Sequence, residues 1–116
     1  MTSAKLRRQR ILEEAWTGDA VLCLYARRRI LRETSTVDSA RFERMTSNRF
    51  LTSLGEPSEV EAEIGRVFEA EGLEKAFAWI EQKLMPLFDR QEEKRMRGRV
   101  PHTKTIGQSR NDSSSA

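Results

Sequence analysis

Few side chains in this sequence could serve as chemical tools. Among 116 residues there is one cysteine, Cys23, and one histidine, His102, the latter in a polar stretch near the C-terminus. A structural zinc site takes four nitrogen, sulfur or carboxylate ligands, usually cysteine and histidine, so this inventory argues against one. Nucleophilic catalysis by a Ser-His-Asp or Cys-His arrangement needs a histidine held in place by surrounding structure, and the tail position of His102 does not offer it. Neither glycine-rich phosphate loop, GxGxxG or GxxxxGK[ST], occurs. The remaining tools are carboxylates, with or without a hard cation such as magnesium, which prefers oxygen ligands.

The second chemical resource is positive charge. Lysine and arginine number 21 against 18 acids, for a net charge of +3. The distribution is more uneven than the total. Lys5, Arg7, Arg8 and Arg10 precede the first acid; Arg27, Arg28, Arg29 and Arg32 form a second cluster; Lys94, Arg95, Arg97, Arg99, Lys104 and Arg110 form a third. Acidic residues dominate positions 56–81. Basic clusters around an acidic centre suit a polyanion handled at a metal site; the competing reading is solvated helix faces and a disordered tail.

The elements that must position these groups are helical. Leu12, Ala15, Trp16, Ala20 and Leu24 recur at helical spacing, and Val21, Leu22, Tyr25, Ile30 and Leu31 widen the stripe. This predicts a helix over about 4–33, with Gly18 as a point where it could break, contacted on more than one side around 20–31. A second helix over about 37–54 turns Phe42, Met45, Phe50 and Leu54 inward. A third over 58–70 presents Val60, Ile64, Val67 and Phe68. A fourth over 73–88 presents Leu73, Phe77, Ile80, Leu84 and Phe88, with Pro86 kinking its end. No strand pattern competes. The sequence thus reads as an all-α domain over 1–90 and a basic, disordered tail over 91–116.

Composition bounds the setting. Hydrophobic residues make up 37% and charged residues 34%, so the core is modest and dimerisation would help to cover it. No apolar run reaches the length a membrane span needs. The basic N-terminus is not followed by the apolar stretch of a secretory signal. A single cysteine rules out an intrachain disulfide and makes the cytoplasm the default location.

Two segments resemble the ribonuclease III endonuclease domain. Ala15-Trp16-Thr17-Gly18-Asp19-Ala20-Val21-Leu22 is similar to that family's LEFLGDAVL signature. Val60-Glu61-Ala62-Glu63-Ile64-Gly65, followed by Phe68-Glu69-Ala70-Glu71-Gly72-Leu73-Glu74, resembles its FEALIGAxYLDGGLE stretch. Arg44-Met45-Thr46-Ser47-Asn48 sits where the family often has a polar stretch before a helix, and the segment through Leu84-Met85-Pro86-Leu87-Phe88 resembles its next helix. The resemblance spans roughly residues 12–88. Two of the family's four acidic positions are replaced, by Ala15 and Ser58. That pattern, the A-x-x-G-D-A-V reading and Cys23-Leu24-Tyr25-Ala26-Arg27, similar to ELYVR, resemble the compact Mini-III subgroup. Asp19 and Glu61 are separated by 41 residues, positions 20 to 60, fewer than the family's usual spacing.

What the resemblance implies is specific. It implies a compact ribonuclease-III-like helical fold working as a homodimer, with Asp19 and Glu61 as catalytic and metal-binding carboxylates for Mg²⁺, or Mn²⁺ in its place. The activity implied is endonucleolytic processing of structured or double-stranded RNA. Physically, Gly18 and Gly65 would let two helices approach closely beside these acids, and paired carboxylates repel unless protonated or bridged by a cation. Glu13 and Glu14, six and five residues before Asp19, fall on other helix faces and are poor substitutes for the missing acid. Trp16 fits either the core or, by the resemblance, the dimer interface. Arg27, Arg28, Arg29, Arg32, Lys94, Arg95, Arg97 and Arg99 are the candidate RNA contacts. Two other functions stay open: a catalytically inactive RNA-binding protein of the same fold, and a small helical DNA-binding or adaptor protein.

Overall fold

A computed structural model of the chain describes residues 2–98. Among them the regular structure is all helical: α1 Ser3–Thr34, α2 Ser39–Thr46, α3 Asn48–Leu51, α4 Pro57–Glu71, α5 Leu73–Lys83 and α6 Met85–Gly98. No described helix is long and apolar enough to cross a membrane.

Local chemistry sets the boundaries. The Thr2 hydroxyl accepts from the Lys5 N–H to cap α1, and Asp38 accepts from the Arg41 N–H to cap α2. Glu56 accepts from the Ser58 and Glu59 amides while Pro57, which has no N–H to satisfy, opens α4. Gly72 separates α4 from α5 at φ 96°, a left-handed conformation open to glycine at no steric cost.

The long helix α1 is the axis of the domain, and its most extensive packing is against α4. Ala15, Gly18, Val21, Leu22, Tyr25, Ala26 and Ile30 make up its buried face. From Val21 onward they join Met45, Phe50 and Leu51, Val60 and Ile64, Ala76 and Ile80, and Leu84, Met85 and Phe88 in one core. Two edge-to-face aromatic contacts tie the later helices in: Tyr25 on Phe77 with centroids 5.4 Å apart, and Phe50 on Phe88 at 5.5 Å. The Tyr25 hydroxyl donates to the Glu81 carboxylate. Burial and that neighbouring charge push the phenol well above its ordinary pKa.

Four expectations from the sequence are corrected. The first helix is continuous through Gly18, because α4 packs on that turn. The expected 37–54 helix divides at Ser47, which is extended (φ −72°, ψ 152°) and accepts from the Phe50 N–H. The expected 73–88 helix divides at Leu84, so Pro86 falls in the first turn of α6, where its missing N–H costs nothing. And α6 runs on to Gly98, past the expected domain boundary at 90. Residues 99–116, including Arg99 and His102, lie outside the described residues.

Burial also departs from expectation along α1. Leu12, Trp16, Ala20 and Leu31 are exposed, as is Leu54 after α3. At about 100° per residue, Leu12, Trp16, Ala20, Leu24 and Leu31 share the side of α1 opposite Gly18. The wide stripe is therefore two stripes: one buried against α4, the other facing away from the core.

Candidate active site

The site begins with two absent side chains. A Cβ placed on Gly18 would stand 1.7 Å from the Glu61 carbonyl oxygen and 2.9 Å from the Gly65 nitrogen. A Cβ on Gly65 would stand 2.1 Å from the Glu14 carbonyl oxygen and 3.2 Å from the Gly18 nitrogen. Each glycine therefore lies against the other helix's backbone, at distances no Cβ could occupy. Interior glycine costs each helix about 1 kcal/mol relative to alanine; backbone-to-backbone packing is what that cost makes possible.

Contact at this range carries the neighbouring side chains together. Asp19 follows Gly18 directly, and Glu61 lies one turn before Gly65. Both are half-buried, and the Glu61 carboxyl lies close enough to Asp19 for that acid to raise its pKa. Burial raises the Glu61 pKa from its ordinary 4.5 to about 7, with further contributions from the Asp19 carboxyl and from the charge of Glu56. Glu61 therefore keeps its proton up to about neutral pH beside the Asp19 carboxyl.

The next turn of α1 extends the site. Cys23 lies four residues after Asp19, on the same face, and its Sγ donates to Asp19 Oδ1 at 3.9 Å. Burial, together with the Asp19 and Glu61 charges, raises the thiol pKa against the opposing pull of Arg27. Cys23 is thus a protonated donor to Asp19 and a poor nucleophile. One turn further, the Arg27 guanidinium stacks 4.4 Å from the Phe42 ring centroid.

The acids that might have completed a larger set are placed elsewhere. Ala15 is buried at the crossing, and Ser58 sits in the first turn of α4 with its amide bound to Glu56. Glu14 is drawn to Arg66 at 2.7 Å. No group of three or more His, Cys, Asp or Glu side chains is placed to hold a metal among the described residues. The available donor set is the two carboxylates of Asp19 and Glu61.

The candidate RNA contacts are dispersed. Consecutive arginines on a helix point about 100° apart, so the Arg27–Arg28–Arg29 run does not make one patch. Arg28 lies 5.8 Å from the Phe77 ring. Arg29 bridges Glu33 at 3.0 Å and Asp89 at 2.9 Å, so its charge is committed within the fold. Arg32 is exposed in the last turn of α1, and Lys94, Arg95 and Arg97 lie on α6. Trp16 is 81% exposed; of its two readings, core is overturned.

Sequence reasoning missed Cys23 as a partner of Asp19, although the four-residue spacing signals it. It also missed the charge of Glu56 on Glu61, since Glu56 is the cap that precedes α4 and not part of its helical face. No known protein family, curated protein or solved structure matches this chain.

Proposed function

We propose that this chain is a magnesium-dependent endoribonuclease of the ribonuclease III type, cutting structured or double-stranded RNA as a homodimer. The observation that supports this reading is the Asp19–Glu61 pair at the Gly18–Gly65 crossing. Two hard oxygen donors close together and half-buried fit Mg²⁺, which usually takes one or two protein carboxylates and keeps several waters. Mn²⁺ suits the same donors. Bound there, the ion would supply Lewis-acid polarisation of a phosphoryl oxygen.

The chain's own part is electrostatic. Without a cation, the proton that Glu61 keeps up to about neutral pH limits the negative charge the site shows to a polyanion. Asp19 and Glu61 are the residues that would hold a cation there, its charge standing in for that proton. Cys23 fixes the Asp19 oxygen it donates to, and Arg27 places a positive charge one turn beyond.

The dimer part of the reading rests on the second apolar stripe of α1. A tryptophan carries 150–250 Å² of largely apolar surface, and Trp16 leaves most of its own in water beside Leu12, Ala20, Leu24 and Leu31. A second copy related by a two-fold axis near Trp16–Tyr25 would cover this outward stripe on both chains at once. Trp16→Ala should convert two-chain particles to single chains in sedimentation without opening a core cavity. A wild-type monomer at micromolar concentration refutes the dimer.

Cleavage of duplex RNA in millimolar Mg²⁺ tests the activity. Asp19→Asn and Glu61→Gln should each abolish cleavage while keeping the fold and RNA binding. The small donor set, two acids rather than three or more, favours as second reading a catalytically inactive RNA-binding protein. It takes the place of the enzyme if pure protein leaves duplex RNA intact in high Mg²⁺ and Mn²⁺. Stronger binding to duplex DNA than to duplex RNA of equal length would overturn both.

A further inference from the structure

Three arginines from three separate helices line one open hollow of about 400 Å³: Arg44 on α2, Arg49 on α3 and, distant from both in sequence, Arg95 on α6. Ser47, Gln91 and Glu92 complete its polar wall. Arg44 is already committed. It forks onto Glu92, Nε at 2.9 Å and Nη2 at 3.0 Å, which neutralises that carboxylate and pins the wall. Arg49 and Arg95 form no ion pair with a carboxylate among the described residues, and Arg95 is half-buried. Two uncompensated guanidiniums in one concavity repel, more strongly the less water reaches them, and a bound anion removes that repulsion.

The rest of the lining suits a tetrahedral oxyanion. Buried Phe50 forms an apolar floor, lowering the local dielectric and strengthening charged hydrogen bonds above it. The Ser47 oxygen accepts from the Phe50 amide at 3.1 Å, leaving the hydroxyl proton to donate. The Gln91 amide is oriented by its bond to Ser53 Oγ at 2.7 Å. Guanidinium forks match phosphate geometry.

We propose that this hollow is a phosphate-binding site, with Arg49 and Arg95 as its ligand-contacting groups and Arg44–Glu92 as the brace that holds its wall. The phosphate comes either from the backbone of the RNA proposed above as substrate or from a free phosphate ion.

The full chain is the material for the test, with Arg49→Gln, Arg95→Gln and the double variant, each checked by thermal melting. Anisotropy of a labelled duplex RNA is measured across a salt series, and inorganic phosphate is titrated against the Ser47 and Gln91 amide resonances. Each single variant should weaken RNA binding about 3- to 10-fold and reduce the salt slope by about one, the double by about two. RNA binding by the wild type with unchanged affinity and slope in a folded double variant overturns the site and leaves the RNA reading standing. Phosphate-induced shifts that vanish in the double variant, in a wild type that ignores RNA, sustain the site with free phosphate as its ligand and overturn the RNA reading instead. Response to neither probe overturns both.

Discussion

The α1–α4 crossing and the attachment of α6 hold the same small domain together by opposite means. At the crossing, side chains are missing: Gly18 and Gly65 put backbone on backbone, and two like-charged carboxyls come together as a by-product. At α6, long side chains do the joining: Phe88 on Phe50, Asp89 with Arg29, Glu92 with Arg44. Opposite charges meet where they are cheap to pair, at a solvated edge. Like charges meet where the backbone leaves no alternative. Interactions that oppose stability cluster at sites of function, which singles out the crossing and makes α6 the tolerant region.

The sharpest way to break this contrast is a single methyl group. Gly18→Ala or Gly65→Ala must push α1 from α4, since a backbone oxygen cannot move aside like a flexible side chain. The cost should be about 3 kcal/mol or more, a large share of the 5–15 kcal/mol typical of a whole domain, read as a fall in thermal midpoint. Unchanged melting would mean the helices do not touch here.

The acid pair gives the next effect. Glu61 ionises near 4.5 in the unfolded chain and near 7 in the fold, so between those values the folded state holds more protons. Stability therefore falls as pH rises through this window and stays lower above it. Glu61→Gln removes that loss. It should be more stable than wild type at pH 8, on the order of 1 kcal/mol after discounting for partial exposure, and the two should converge below pH 4.5. Mg²⁺ should raise the wild-type melting temperature at pH 8 and leave that of Glu61→Gln unchanged.

At α6, Glu92→Gln should cost only about 0.5–1 kcal/mol, because the Arg44–Glu92 pair is partly solvated. The smallest effect should come from Gly98→Ala. A Cβ there meets nothing among the described residues, and the change should add a few tenths of a kcal/mol through helix propensity. A loss as large as at Gly18 would erase the contrast.

Periodicity made most of the core legible: Leu22, Ile64, Ile80 and Phe88 were all assigned inward and all are buried. It failed where apolar spacing runs across a break, as between Met45 and Phe50, since both stay buried while Ser47 turns the chain. It also stopped too early on α6, whose last turns carry one apolar residue, the exposed Met96, and are otherwise built of charged and helix-forming residues such as Glu92, Glu93 and Lys94. Hydrophobicity marks Trp16 as a contact residue but says nothing about which side of α1 has a partner. At the site, the glycines forecast a close approach, whereas the Asp19–Glu61 contact was foreseen only through the resemblance. Arg49 and Arg95, 46 positions apart in sequence, meet in a way no local pattern encodes.

The first three turns of α1, residues 3–13, are almost wholly exposed. A free helix of that length is marginal in water, so their order is borrowed from the packed turns that follow. Amide hydrogen exchange should accelerate step by step from Ala15 towards Ser3, as in a rod clamped at one end. The clamp is the Gly18–Gly65 contact, and at about 1.5 Å per residue Lys5, Arg7, Arg8 and Arg10 ride on a lever some 12–20 Å beyond it. A tilt of a few degrees at the glycines would sweep this cationic tip through an ångström or more, coupling its position to whatever occupies the acid pair.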